Sequence, residues 1–222
     1  MSAKIEAVIF DMDGVIFDSE KLVLDSWREV ADRHGIKGVE AVCHECLGTN
    51  SAASRAIFLQ HYGQDFPYDV YKEEMVKVFF DHASGGRLAK KPGIEELLRY
   101  LQEKKIKIGL ASSTREEIVR RQLTEGGLIN YFDEVIGGDM VKHSKPAPDI
   151  FLEACRRLGA QAQDCYVIED SYNGIRAAHA AGMHPIMVPD MAEPTAEMER
   201  LAECILPNLL ETVKFLENKF FS

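Results

Sequence analysis

Apolar positions change their spacing twice along this chain. A short unbroken run, Ala7-Val8-Ile9-Phe10, comes first and predicts a strand buried on both faces. Over residues 19–35, Val23, Trp27, Val30 and Ala31 recur at helical spacing with charged residues between them, which predicts an amphipathic helix. Helix-like stretches at 51–62 and 67–82 follow with no strand among them, and Ser84-Gly85-Gly86 then reads as a hinge or linker. Beyond it the pattern alternates. Ile94, Leu97, Leu98 and Leu101 make one helical face, followed by strand 106–111 and a helix through Leu123 opened by a capping box at Thr114-x-x-Glu117. Strands at 134–137, 166–169 and 185–188 alternate with helices at 148–158 and 173–181, and a helix from about Asn208 closes the chain.

Strands alternating with helices predict an α/β fold with a Rossmann-like parallel sheet. The all-helical stretch interrupts that unit directly after its first strand. The expected division is therefore an α/β core of residues 1–16 and 87–222 and an inserted helical domain of residues 17–86. A chain of 222 residues with a hydrophobic fraction of 46% can bury such a core.

The formal net charge of -10 would repel phosphodiester backbones and anionic membranes, so nucleic acid and membrane partners are not expected, and no protein partner is implied. An anionic small molecule stays compatible, because a metal and one lysine can reverse the potential locally. Met1-Ser2-Ala3-Lys4 runs into the first strand without a leader pattern, and no apolar stretch approaches the ~20 residues of a membrane span, so a cytoplasmic location is expected. Five cysteines, an odd number, argue against a disulfide framework.

Candidate chemistry lies at strand ends. Asp11 and Asp13 follow the first strand in Asp11-Met12-Asp13-Gly14-Val15. Successive strand residues face opposite ways, so both acids reach one site only if the chain leaves the extended form after Phe10, a turn that Gly14 permits. Ser112-Ser113 follow the strand at 106–111, Glu169-Asp170 end another, and Lys145 stands in Ser144-Lys145-Pro146, where proline restricts its backbone. Each feature alone also has a bland reading: aspartates and serines that cap turns and helices, Asp170 as the cap of the helix after it, and a solvated lysine. A carboxylate acting as nucleophile on phosphorus needs cations and oriented donors, and this set supplies candidates for all of them.

All four motifs, in this order, resemble those of the haloacid dehalogenase-like hydrolase superfamily across essentially the whole chain. Phe10 to Val15, Ser144-Lys145-Pro146-Ala147-Pro148-Asp149-Ile150-Phe151 and Glu169-Asp170-Ser171-Tyr172-Asn173-Gly174-Ile175 look most like its β-phosphoglucomutase and sugar-phosphate phosphatase branch. The resemblance implies Asp11 as nucleophile and Asp13 as acid and base. It implies Ser112, Ser113 and Lys145 as phosphate binders, and Mg2+ held by Asp11, the Asp13 backbone carbonyl, Asp170 and Glu169, the last directly or through water. Asn173 is expected to orient the metal carboxylates, or else to lie on the helix surface. The helical insertion corresponds to the family's cap, where His44 and Arg55 are candidate substrate contacts, as is Arg115 beside the phosphate motif.

Three neighbouring chemistries resemble this one. Dehalogenases need no second acid or magnesium, whereas Asp13 and Asp170 are in place; phosphonatases use a cap lysine, and residues 47–54 contain none. β-Phosphoglucomutases carry cap cations, where this chain has Leu47 and Ser51, and a histidine where it has Val23. The expected function is a magnesium-dependent phosphatase acting on a small phosphorylated metabolite such as a sugar or polyol phosphate. A β-phosphoglucomutase is the alternative, with Arg55 or another cap residue supplying the missing charge, and a non-catalytic binding protein comes last. Cys43-His44-Glu45-Cys46 invites a zinc reading, but no second pair follows, so its cysteines are expected to be half-buried thiols. Neither a Walker loop nor a dinucleotide glycine fingerprint is present.

Overall fold

Six strands, β1 (Ala7–Phe10), β2 (Lys107–Ala111), β3 (Glu134–Ile136), β4 (Cys165–Glu169), β5 (His184–Met187) and β6 (Cys204–Ile205), pair in parallel in the order β3-β2-β1-β4-β5-β6. This is seen in a computed structural model that describes residues 4–46 and 51–221. The strand with the unbroken apolar run takes the central place, since only there are both of its faces covered. Ten helices accompany the strands among the described residues: α1 (Ser19–His34), α2 (Val39–Glu45), α3 (Ser51–Tyr62), α4 (Tyr68–Ala83), α5 (Ile94–Glu103), α6 (Glu116–Glu125), α7 (Asp149–Leu158), α8 (Tyr172–Ala180), α9 (Ala196–Leu201) and α10 (Leu209–Phe220).

Alternation along each strand divides the core into two layers. Val8 and Phe10 join Ile108, Leu110, Tyr166 and Ile168 on one face, closed by apolar residues of α5, α6 and α10. Ala7 and Ile9 join Cys165 and Val167 on the other, closed by α7 and α8. A third cluster belongs to α1–α4 alone, with the Trp27 ring 4.6 Å from that of Phe58 and 6.0 Å from that of Tyr68. The two passages between these parts run side by side: Asp18 N donates to Ala89 O and Lys91 N to Ile16 O, both at 2.8 Å. Their antiparallel pairing through Phe17 and Lys90 lies three to five residues beyond the Gly85-Gly86 pair. No helix among the described residues is long and apolar enough to cross a membrane. None of the five cysteines is in a disulfide.

One expectation about local structure fails, and so does one of the bland readings. The capping box at Thr114 does not form: α6 begins at Glu116, its flanking Arg115 makes no side-chain cap, and the Glu116 amide donates to Asp139 Oδ1 at 2.9 Å. Nor does Asp170 cap the helix that follows it; Ser171 does, accepting from Gly174 N at 3.0 Å. Three elements went unread, α2 with 7 residues, α9 with 6 and β6 with 2, because such lengths carry too few periods to register.

Candidate active site

The carboxylates gather where β1 and β4 end side by side. Phe10 pairs with Ile168, and the ladder continues one residue further as Asp11 N donates to Ile168 O at 2.9 Å. After Asp11 the chain curls, with Ile16 N and Phe17 N both donating to Met12 O and Gly14 N to Phe17 O. Gly14 takes φ +73°, and a Cβ there would collide with the Asp170 carboxylate, so glycine is required for both the turn and the close approach. One oxygen each from Asp11, Glu169 and Asp170 lie within 4.8 Å of one another, all three residues buried; among the described residues no other group of this kind occurs.

Lys145 reaches this cluster from the loop before α7. Its Nζ donates to Asp11 Oδ1 at 2.5 Å, Glu169 Oε1 at 2.7 Å and Ala111 O at 3.2 Å. Burial works to lower its pKa, but the charges of Asp11 and Glu169 outweigh that and raise it, so it stays an ammonium. Burial pushes the Asp11 carboxyl up to about 8 against the pull of Lys145. Asp170 is raised well above its ordinary value by burial and by the neighbouring Glu169 and Asp11. Converging acids in a dry place resist ionisation until another cation joins them.

Asp13 lines an adjoining cavity. Its carboxylate accepts from Thr114 Oγ1 at 3.4 Å and from the Ser19 hydroxyl, and burial raises its pKa. Thr114 therefore holds an acid instead of capping α6. Ser112 is fully buried after β2, its Oγ accepting from Thr114 N at 3.1 Å, whereas the Ser113 side chain is exposed. Glu169 Oε2 accepts from Ser171 N at 2.8 Å, and a Cβ on Gly174 would overlap its carboxylate. Asn173 Oδ1 accepts from Arg176 at 3.1 Å, on the helix itself.

The cavity of about 390 Å³ lies between the helical insertion and the sheet, in the volume range of small-molecule sites. Val23, Leu24, Trp27, Phe58, Phe79 and Phe80 supply much of its wall, with Glu20, His44, Lys72, Thr114 and Gln122 among the polar residues. Burial pushes the Glu20 carboxyl up to about 7 and lowers Lys72. His44 and Val23 both line the cavity. Arg55 is not among its lining residues: it is exposed and bonded to Asp69, with Nη2 3.1 Å from Oδ2. Arg115 is exposed and lines no part of the cavity. Leu47 lies outside the described residues. Cys43 and Cys46 also line the cavity, and burial pushes the Cys43 thiol up to about 12, a protonated and unreactive form.

Sequence reasoning missed Ser19 and Thr114 as partners of Asp13, Gly174 as room for Glu169, and Glu20, Lys72 and Gln122 as cavity residues. For Ser19 and Gly174 a signal existed, since each lies within six residues of an acid already singled out. For Lys72 and Gln122 there was none, because both are ordinary polar positions on helices.

The parallel order, the acids beyond the strand ends and the buried lysine define a hydrolase fold with its site at the carboxyl edge of the sheet. A family model described as haloacid dehalogenase-like hydrolase matches residues 8–188. The chain belongs to the haloacid dehalogenase-like hydrolase family. It is 34% identical over 186 residues to a phosphorylated carbohydrates phosphatase of Thermotoga maritima, covering 82% of this chain and 84% of the relative. It is 32% identical over 194 residues to the β-phosphoglucomutase of Bacillus subtilis, covering 83% of each. A crystal structure of a hydrolase of the same family from Deinococcus radiodurans, with bound phosphate and sodium, superposes with a TM-score of 0.82 at 25% identity, covering 98% of this chain and 97% of that one.

Proposed function

We propose that this chain is a magnesium-dependent phosphatase of small phosphomonoesters, with sugar and polyol phosphates as its substrate class, working through an aspartyl-phosphate on Asp11. One observation carries the reading: Lys145 bonds Asp11 at 2.5 Å inside a buried cluster of three carboxylates, beside a cavity that a second acid, Asp13, lines. The phosphatases among the relatives support the substrate class.

The residues fit a divalent cation. Three buried carboxylates share one ammonium, so ionised they carry excess negative charge, and they present the all-oxygen donor set that magnesium prefers. Asp11, Glu169 and Asp170, with the Asp13 carbonyl, would hold magnesium, whose charge would let an anionic phosphoryl group approach a carboxylate. Lys145 fixes Asp11 through Oδ1 and offers its remaining charge to the phosphoryl oxygens. Asp11 attacks phosphorus as the bond to the leaving oxygen breaks, and Asp13, whose pKa is raised by burial, gives that oxygen its proton. The Asp13 carboxylate then takes a proton from water as the water oxygen displaces Asp11 from phosphorus. Ser112, with the Ser113 amide, steadies the phosphoryl group from the β2 end.

A mutase would need the same cleft to hold a second phosphate. Arg55 is committed to Asp69, Val23 is apolar, and Lys72 shares the cavity with Glu20, so the described residues favour release to water. The test is phosphate release from a panel of sugar, polyol and nucleoside monophosphates and p-nitrophenyl phosphate. Hydrolysis that is lost in excess chelator and restored by magnesium is expected, and no release from any ester with magnesium present would overturn the reading.

A further inference from the structure

Three polar groups line the cavity without a partner of their own. Gln122 on α6 is 6% exposed, and its Oε1 is one of two buried side-chain polar atoms among the described residues that have no hydrogen-bond partner. Leaving such an atom unpaired costs about 1–3 kcal/mol, which a hydrogen-bonding guest at this wall would recover. An amide can present its oxygen or, turned over, its NH2 to the same point, and so reads either a donor or an acceptor. Lys72 on α4 and Glu20 on α1 line the same space, each within electrostatic reach of the other, with no hydrogen bond or ion pair among the described residues.

The geometry points to Gln122, Lys72 and Glu20 as the residues that select the leaving alcohol, and to a neutral, hydroxylated ring as that alcohol. This rests on the phosphatase reading and adds the groups that decide its specificity. Charge gives the first reason. Glu20 lines the same space as Lys72, so a second anionic group on the substrate that approached the lysine would also meet a carboxyl. Hydroxyls, by contrast, suit all three, accepting from the ammonium and donating to the carboxylate and the amide oxygen. Shape gives the second reason. Trp27, Phe58, Phe79 and Phe80 offer flat apolar area to the body of a ring, with the polar groups fixing its orientation. Neither Gln122 nor Lys72 contacts the carboxylate cluster, so their effect falls on which ester is cleaved.

The experiment compares kcat/KM of wild type, Gln122→Met and Lys72→Met on three kinds of ester. These are monophosphates of hexoses, pentoses and nucleosides; p-nitrophenyl phosphate, whose leaving group has no hydroxyl; and the acidic esters 2-phosphoglycolate and glucose 1,6-bisphosphate. Wild type should prefer a neutral hydroxylated ester. For that ester, its preference over p-nitrophenyl phosphate should fall about 10- to 100-fold in each variant, mainly through KM. A preference ratio within twofold of wild type in both variants would overturn the assignment, as would equal losses on every ester, which mark a structural role. A wild-type preference for the acidic esters that Lys72→Met abolishes would also overturn it, making Lys72 an anion anchor. If wild type cleaves none of the esters, p-nitrophenyl phosphate included, the phosphatase reading fails and takes this inference with it.

Discussion

The end of the sheet and the cavity above it are built on opposite terms. At the strand ends, charged groups are buried together and bonded: Lys145 alone bridges Asp11, Glu169 and the Ala111 carbonyl, and Ser171 N and the space left by Gly174 hold Glu169 in place. In the cavity an aromatic wall surrounds Glu20, Lys72 and the amide oxygen of Gln122, for which no hydrogen bond is seen among the described residues. On the proposed function, the difference is one between chemistry and selection. A reacting carboxylate must be held before the substrate arrives, because reorganising it during the reaction would add to the barrier. A group that reads the substrate must be left unpaired, because only an unmet hydrogen bond makes the wrong ligand costly.

The comparison breaks most visibly at Asp11. Asp11→Asn should lower kcat by about 10³-fold or more while the protein still melts cooperatively, since one fewer acid relieves repulsion in the cluster. Steady-state kinetics with a thermal melt checks both, and substantial activity in the pure variant would mean that the cluster is not where phosphorus is attacked.

Next in size is the packing that holds Glu169. Gly174→Ala puts a methyl where its carboxylate lies, and should weaken magnesium activation about 10- to 100-fold with the fold retained. A magnesium titration of activity reads this; an unshifted half-saturation point would show that Glu169 has room to move.

A smaller effect separates the two regions by pH. Asp11 and Asp170 in the metal-free protein have pKa values raised by burial, Asp11 to about 8, so the folded state binds more protons than the unfolded chain above pH ~4. Stability from this source is present at low pH and lost as pH rises through about 8. With chelator, Tm should therefore fall by several degrees from about pH 5 to 8, and magnesium or Asp11→Asn should flatten the slope. A Tm that rises over this range without metal would contradict the burial assigned to the cluster.

The smallest effect concerns Arg55. Its pair with Asp69 is exposed on both sides, so Arg55→Ala should change stability by no more than about 0.5 kcal/mol and leave kcat/KM within twofold. A marked loss on a sugar phosphate would return Arg55 to the cleft and reopen the mutase alternative.

What was legible in the sequence follows a simple division. The strand at Ala7–Phe10, the turn at Gly14 and the acids beyond the strand ends could be read because each depends on neighbours a few residues away, where periodicity and glycine leave a mark. Thr114 was misread for the same local reason: a capping pattern was present, but a carboxylate 101 positions away in the chain claimed the hydroxyl. By itself, the sequence determined the α/β alternation, the helical stretch between the first two strands and the candidate groups Asp11, Asp13, Lys145, Glu169 and Asp170. Only the tertiary structure decided that Lys145 spans Asp11 and Glu169, that Arg55 turns away to Asp69, and that Glu20, Lys72 and Gln122 look into one cavity. Those outcomes depend on distances between elements far apart in the chain, set by how the sheet and the insertion pack, and no local pattern encodes them.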